Sequence, residues 1–327
     1  MEEIMEVLES GLGELFQKPD VWGFREWVHK YKDKTLTSKL MTEQEAVAKF
    51  VKDGDYLGTE LYGTVRAPMS LTREVIRQGK KHLKLAGQGI HEIDLLLAAD
   101  LVDTLDITYI AWEVYGISSI LRRAVESGRV KTADWSNGAI TWRFKAAAMG
   151  IPFIPTLSML GTDTLKNSSA KVVKCPFTGQ KVALLPALFL DVGLIHVHRA
   201  DKYGNCQIDG ISGFAFELAR ASKKLIVSAE EIIDTEEIKK YPEHTIIPFF
   251  LVDAVVHAPY GSHPGEMCYN YWRDEEHLKN FLEDSKDVTK TKAYMDKYVY
   301  GPKNHDDYIK LVGIDRLKKL EGMIGGR

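Results

Sequence analysis

LDVGLIHVH, residues 190–198, is an almost unbroken apolar run. A strand that is buried on both faces has such a sequence because neither side of it meets water, and this is typical of parallel sheets. Further strands are predicted at VALLP (182–186), KLIVSA (224–229) and LVDAVVHA (251–258). The sequence therefore predicts a buried sheet in the second half of the chain.

Predicted strands and helices alternate through the first half of the chain. Three pairs show this: LKLA (83–86) before HEIDLLLAADL (91–101), LDITYIAW (105–112) before ISSILRRAVESG (117–128), and the helix GAITWRFKAAAMG (138–150) before IPFIPTL (151–157). Such alternation favours parallel strands joined by crossover helices. The predicted fold class is α/β, with an open, mostly parallel sheet and helices on both of its faces.

Composition excludes several functional classes. The chain has 327 residues, 45% of them apolar, and a net charge of −3. This charge balance predicts neither a nucleic-acid partner nor an anionic membrane partner. No apolar run reaches the roughly 18 residues of a membrane span, and the acidic N-terminus does not resemble a signal peptide. Three widely spaced cysteines, an odd number, favour a reducing, cytoplasmic environment.

Two regions are predicted along the chain. Residues 2–16 are interpreted as an amphipathic helix and residues 31–39 as a polar linker, so that 1–38 form an N-terminal helical extension and linker. The main domain, 39–327, begins near a capping-box sequence at Thr42 and ends in charged helices.

The loops that follow strands are the expected ligand-binding segments, because ligands of open α/β sheets sit at the carboxyl ends of the strands. The loop from Gly58 to Pro68 joins a predicted strand to a helix that begins near Met69. Its backbone N–H groups could bind an anion or an oxyanion. An ordinary connection is the alternative, and the loop is neither a dinucleotide fingerprint nor a phosphate loop.

Two glutamates are the catalytic candidates. Glu60 and Glu113 each follow an apolar strand and precede a glycine, so they could face one pocket as general acid or base. The alternative is a solvated loop acid or a helix-start residue. The predicted substrate-binding residues lie in these two loops, in the loop after residues 83–86 and at the start of the helix near 138: Tyr62, Gly63, Arg66, Gly87, Gln88, Gly89, Trp112 and Asn137.

Other chemistry-bearing residues have simpler explanations. His196 and His198 share one face of a strand, but zinc needs three or four ligands, so no metal site is predicted. Ser136 is interpreted as a helix cap rather than a nucleophile, since no nucleophile elbow is present. His263 is interpreted as a hydrogen-bonded loop residue.

Several segments carry a resemblance to a known family. The chain resembles α subunits of family I coenzyme A-transferases of the glutaconate CoA-transferase type from about residue 39 onward. The segments are RAPMSLTREVIRQG (66–79), RRAVESGRV (122–130), WSNGAITWRFKAAAMGIPFIPTLSMLGTD (135–163), CPFTGQKVALLPAL (175–188), DVGLIHVHRADKYGNCQIDG (191–210), LIVSAEEII (225–233) and VDAVVHAPYGSHPGEMCYNYWRDEEHL (252–278).

The resemblance implies an open α/β chain within an αβ heteromer, often α2β2, with the active site between the subunits. It implies acyl-CoA and carboxylate substrates, a catalytic glutamate in the β subunit, and no cofactor. The loop from Gly58 to Pro68 would be the counterpart of a glycine-rich loop that stabilises the oxyanion.

The chain departs from that pattern at one point. Glu60 and Leu61 stand where the family loop has a glycine pair. A second hypothesis is therefore a hydrolase or lyase acting on an acyl-CoA thioester, with Glu60 or Glu113 as acid or base. A third hypothesis is a non-catalytic sensor or scaffold with the same fold.

Overall fold

The computed structural model describes residues 6–323, apart from the side chains of Leu61, Tyr62 and Val114. Its strands are β1 (Val7–Ser10), β2 (Tyr56–Gly63), β3 (Leu83–Gly89), β4 (Val102–Ile107), β5 (Lys131–Asp134), β6 (Phe153–Thr156), β7 (Lys171–Lys174), β8 (Lys181–Pro186), β9 (Leu190–Ala200), β10 (Cys206–Gln207), β11 (Ser222–Ile232), β12 (Thr245–Ile247) and β13 (Ala254–His257).

The helices alternate with these strands and then dominate the C-terminal part. They are α1 (Val21–Tyr31), α2 (Glu43–Phe50), α3 (Met69–Arg77), α4 (His91–Ala98), α5 (Ser119–Glu126), α6 (Asn137–Met149), α7 (Asp163–Asn167), α8 (Ala215–Ala221), α9 (Thr235–Lys240), α10 (Glu275–Ser285), α11 (Val288–Met295), α12 (His305–Val312) and α13 (Ile314–Glu321). Within residues 6–323, no helix has the length and apolarity needed to cross a membrane.

The main sheet is mostly parallel, as the sequence predicts. Its parallel strands are ordered β13, β11, β9, β2, β3, β4 and β5, and the antiparallel pair of β10 and β12 extends it from the end of β9. From β2, the chain first builds outward through β3, β4 and β5, and later through β9, β11 and β13 on the other side. The strand order therefore reverses between β2 and β9, which is where open α/β sheets bind ligands.

The strand that decides the fold class is buried on both faces. Successive residues of β9 enter different cores: Leu194 packs with residues of α3 and α4, and Ile195 packs with residues of α6 and α8. Helices thus cover both faces, which confirms the predicted layers. The continuous apolar run at 190–198 has this cause, because neither face of β9 meets water.

A second, antiparallel sheet stands apart from the first. Its order is β1, β7, β8, β6. The sequence predicts strands at β6 and β8 but not their separate sheet. Along β8 the burial alternates between exposed or half-buried and fully buried positions. That alternation is typical of an antiparallel strand with one covered face.

The helix predicted for residues 2–16 is wrong within the described part of the chain. Val7–Ser10 forms β1 and pairs with β7, so this segment is held by backbone hydrogen bonds to the second sheet. The first helix from residue 6 onward is α1, which begins after Asp20, and the side chain of Asp20 accepts a hydrogen bond from the N–H of Gly23. The division of the chain at residue 38 stays a prediction.

The predicted linker packs against the main domain. Lys32 is buried, and its ammonium donates to Asp253 at 2.6 Å. Lys39 donates to the carbonyl of Phe249 at 2.6 Å. Immediately beyond the linker, Thr42 forms the predicted capping box with Glu45 at the start of α2.

Candidate active site

Predicted site residues come together at the carboxyl edge of β2 and β3. Gly63 and Gly89 are paired in register at the ends of these strands. The amide of Gln88 donates to the carbonyl of Asn137 at 2.6 Å, which ties β3 to the start of α6. Asn137 and Gly138 are exposed there. We call these five residues the edge site.

The local sequence explains why the edge site presents backbone donors. Ser136 caps α6 by accepting from the N–H of Ala139 at 3.1 Å, which confirms the predicted cap. The first N–H groups of a helix have no partner within the helix, and the helix dipole adds partial positive charge. A Cβ added to Gly138 would meet no atom within 4 Å, so the space beside these donors is open. The arrangement suits stabilisation of an oxyanion.

Glu60 and Arg66 form a fully buried ion pair beneath this edge. One guanidinium nitrogen of Arg66, Nη2, lies 3.0 and 2.9 Å from the two carboxylate oxygens of Glu60. Both side chains have no exposed surface. Burial raises the pKa of Glu60 to about 7, and the Arg66 guanidinium opposes that rise. The charge of Arg66 faces Glu60 inside the protein, and its contact with substrate stays a prediction.

Glu92 is a functional candidate that the sequence analysis missed. It lies in the first turn of α4, and neither of its carboxylate oxygens has a hydrogen-bond partner of good geometry, although the Thr59 hydroxyl faces it. Burial raises the pKa of Glu92 to about 8. A Cβ on Gly89 would lie 1.5 Å from Glu92 Oε1, so the carboxyl group packs directly on the edge site. In the sequence, Glu92 stands shortly after a glycine-containing turn. A glutamate at that place is also common in the first turn of an ordinary helix, so the sequence does not distinguish the two cases.

The sequence predicts that Glu113 and Glu60 face one pocket, but their strands are not neighbours in the structure. β3 separates β2 from β4, and Glu113 lies in a 3₁₀ turn six residues beyond the end of β4. Glu113 is exposed, whereas Glu60 has no exposed surface. Their roles as acid or base stay predictions.

Three other predicted substrate contacts have different outcomes. Trp112 is buried, and its indole donates to Asp94 at 3.0 Å, so it belongs to the core rather than the edge. The space beside Gly87 is occupied by the Thr59 side chain, since a Cβ added to Gly87 would lie 2.5 Å from Thr59 Oγ1. The prediction for Tyr62 concerns a side chain outside the described part of the structure.

The two strand histidines are held in hydrogen bonds, as their simpler explanation predicts. His196 contacts Ser228 Oγ at 2.8 Å and Glu230 Oε1 at 2.7 Å through its two ring nitrogens. His198 contacts the carbonyl of Cys268 at 2.7 Å, and burial lowers its pKa to about 4. Neither ring is left free for a metal.

A different cluster could offer three metal ligands. His263, Asp274 and His277 are buried, and their ligand atoms lie within 4.8 Å of one another. Arg316 already donates to both oxygens of Asp274, at 2.5 and 2.7 Å, and Tyr308 hydrogen-bonds His263 at 2.8 Å. The carboxylate thus has a guanidinium as its counter-charge, and this geometry fits a structural network better than a cation site.

Residues 40–258 match the protein family described as Coenzyme A transferase. The chain belongs to this family. It is 33% identical to the A subunit of glutaconate CoA-transferase from Acidaminococcus fermentans, over 88% of this chain and 96% of that one. It is also 33% identical to the A subunit of 3-oxoadipate CoA-transferase from Pseudomonas knackmussii, over 83% and 97% of the two chains.

Solved structures of the family agree with the fold. The crystal structure of the Acidaminococcus fermentans glutaconate CoA-transferase matches 86% of this chain and 95% of that one, with a TM-score of 0.83 and 32% identity. The decarboxylase AibA/AibB matches 80% of this chain and 100% of the other, with a TM-score of 0.69 and 29% identity. The chain is thus an α-type CoA-transferase subunit, which confirms the resemblance found in its sequence.

Two of the segments that carry the resemblance, 191–210 and 252–278, each contain a buried aspartate with a structural role. In the first, Asp201 accepts hydrogen bonds from the backbone N–H groups of Tyr203, Gly204 and Asn205. In the second, the carboxylate of Asp253 accepts a hydrogen bond from the buried ammonium of Lys32. Both aspartates are engaged in structural contacts, and neither belongs to the edge site.

Proposed function

We propose that this chain is the α subunit of a heteromeric enzyme that moves CoA between an acyl-CoA and a carboxylic acid, and that its partner is a β subunit. The observation that carries the proposal is the edge site, where open backbone donors lie at the carboxyl ends of β2 and β3, beside the strand pair at which the order reverses. Membership of the coenzyme A transferase family supports the reaction class.

The division of labour follows from what the resemblance implies. A glutamate on the partner, the β subunit, attacks the thioester carbonyl, which gives an acyl anhydride and releases the CoA thiolate. The thiolate then attacks the glutamyl carbonyl of the anhydride, so that the donor carboxylate leaves and a glutamyl-CoA thioester remains. The acceptor carboxylate reverses these two steps with its own acyl group. Each attack develops negative charge on a carbonyl oxygen, for which the edge site supplies N–H donors.

The buried ion pair supports a nucleophile on the partner. Both oxygens of Glu60 face the Arg66 guanidinium, and neither side chain is exposed, so Glu60 is not placed to attack a thioester. In this proposal, coenzyme A is part of the substrate and is not a cofactor. The proposed assembly is α2β2, and the proposed compartment is the cytoplasm.

The decisive experiment co-expresses the chain with its β subunit, then supplies acyl-CoA donors with carboxylate acceptors or with water alone. We expect CoA exchange that requires both subunits, and intact-mass analysis of the donor-treated complex should show CoA bound covalently to β and not to α. Hydrolysis or decarboxylation without transfer would contradict the proposal, as would a CoA adduct on this chain. Native mass spectrometry of the same complex tests the α2β2 assembly.

A further inference from the structure

We propose that Glu60 and Arg66 are positioning residues: together they hold two loops, residues 63–66 and 210–214, in the arrangement that the edge site needs for transfer. This inference rests on the proposed function for its kinetic consequence, but its structural part concerns this chain alone. It assigns a role to Glu60, which the structure buries with Arg66.

Arg66 joins three separate segments through one side chain. Beyond Glu60, its Nη1 donates to the carbonyl of His196 on β9 at 2.7 Å. Its Nε and Nη2 donate to the carbonyls of Ile211 and Ser212, at 3.3 and 3.2 Å. One guanidinium therefore links the strands on either side of the strand-order reversal to the loop that precedes α8.

Glu60 completes the link from the opposite side. Its carboxylate faces the backbone N–H of Phe214, the last residue before α8, in addition to the guanidinium. Residues 210–214 are thus held by Arg66 through two carbonyls, and the Glu60 carboxylate lies beside the last residue of this loop. Ile211 in this loop is about half exposed, at 48%, so the held loop reaches the surface.

The backbone of the first loop is held in an unfavourable conformation. Arg66 has φ of +50°, a left-handed value that costs free energy for a residue with a Cβ. The N–H of Arg66 donates to the carbonyl of Glu266 at 2.9 Å, and the Thr64 hydroxyl donates to the Glu266 carboxylate at 2.7 Å. Gly63 of the edge site lies directly before these anchored residues, so the buried pair acts on the reaction through the backbone position of Gly63.

The charges decide which variants are informative. Removing one partner leaves the other charge buried and unpaired, which strongly destabilises a protein. Removing both charges can be nearly neutral for folding. Glu60→Gln combined with Arg66→Met should therefore fold while lacking every hydrogen bond that the guanidinium makes.

The experiment compares this double variant with the two single variants. We expect both single variants to melt well below the wild type and the double variant to recover part of the difference, because the three carbonyls that Arg66 reaches still lack their donor. In the complex with the β subunit, the double variant should lose about 100-fold in kcat with KM for the acyl-CoA nearly unchanged, because a displaced backbone donor weakens transition-state contacts rather than CoA binding. Amide exchange in the isolated chain should accelerate in both 63–66 and 210–214.

A second buried ion pair supplies the matched control. The side chains of Lys32 and Asp253 are nearly as buried as those of Glu60 and Arg66, and Asp253 directly precedes β13, at the amino edge of the parallel strands. Lys32→Met combined with Asp253→Asn should alter stability similarly and leave kcat unchanged.

Two outcomes would overturn the inference. A double variant that folds and keeps the wild-type kcat would remove the kinetic role. Unchanged amide exchange in either loop of the isolated chain would remove the link itself, whether or not the complex transfers CoA. A wild-type complex without transfer would instead contradict the proposed function, while the exchange measurement would still decide the link.

Discussion

Replacing Glu92 by glutamine should change how the stability of this protein depends on pH. The carboxyl group is fully buried beside Gly89, and burial raises its pKa from 4.5 to about 8. Between these two values the folded chain keeps a proton that the unfolded chain has lost. Unfolding then releases a proton, so the free energy of unfolding falls as the pH rises through this window.

The magnitude follows from the two pKa values of Glu92. Linkage between 4.5 and about 8 predicts a loss of about 2 kcal/mol of stability between pH 6 and pH 8 from this one group. Glutamine is nearly isosteric and carries no titrating proton. An effect of glutamine on the free energy of unfolding that is the same at every pH cancels when the values at pH 6 and pH 8 are subtracted.

The assay is urea unfolding of the isolated chain at pH 6 and pH 8, for the wild type and Glu92→Gln. We expect the variant to gain about 2 kcal/mol relative to the wild type on going from pH 6 to pH 8. The exposed Glu126 provides a control, since Glu126→Gln should leave the pH difference unchanged. Equal pH dependence of Glu92→Gln and the wild type would refute the reasoning that Glu92 is buried with a raised pKa.

Four further substitutions test the edge site and the surrounding fold. Gly89→Ala would force a Cβ to 1.5 Å from Glu92 Oε1, so it should reduce both the melting temperature and the rate of CoA transfer. In Gly138→Ala the added Cβ has no atom within 4 Å, so a thermal melt of this variant should show normal folding. Ser136→Ala should cost about 1 kcal/mol in urea unfolding and retain transfer, because its hydroxyl is a cap; complete loss of transfer in a folded variant would contradict this. Asp201→Ala removes an acceptor of five hydrogen bonds, so we expect a loss of about 3 kcal/mol or more, and a loss below about 1 kcal/mol would argue against its structural role.

Local sequence was sufficient where one segment carries its own physical cause. The capping box at Thr42 and the cap at Ser136 were predictable because the donor and the acceptor lie three residues apart. The run at 190–198 was predictable because burial on both faces removes the alternation of polar and apolar residues. The prediction failed for residues 2–16, where pairing with β7 decides the conformation of β1.

The site was less predictable than the fold because charges find their partners across the sheet. Glu60 and Arg66 stand six residues apart in sequence, yet the carbonyls that Arg66 reaches belong to residues 196, 211 and 212. A loop acid and a buried acid have the same sequence signal, so Glu113 and Glu60 could not be told apart before their burial was known. Glu92 was missed for the same reason.

By itself, the sequence determined the α/β class, the strand and helix segments of the main sheet, the helix caps and the family. These depend on apolar patterns and on short-range hydrogen bonds, which a stretch of about ten residues contains in full. Tertiary structure alone decided the second sheet, the reversal of strand order between β2 and β9, and the burial of Glu60 with Arg66 and of Glu92 against Gly89. The physical reason is that desolvation and ion pairing depend on which distant segments surround a group, and that is settled only when the sheet is assembled.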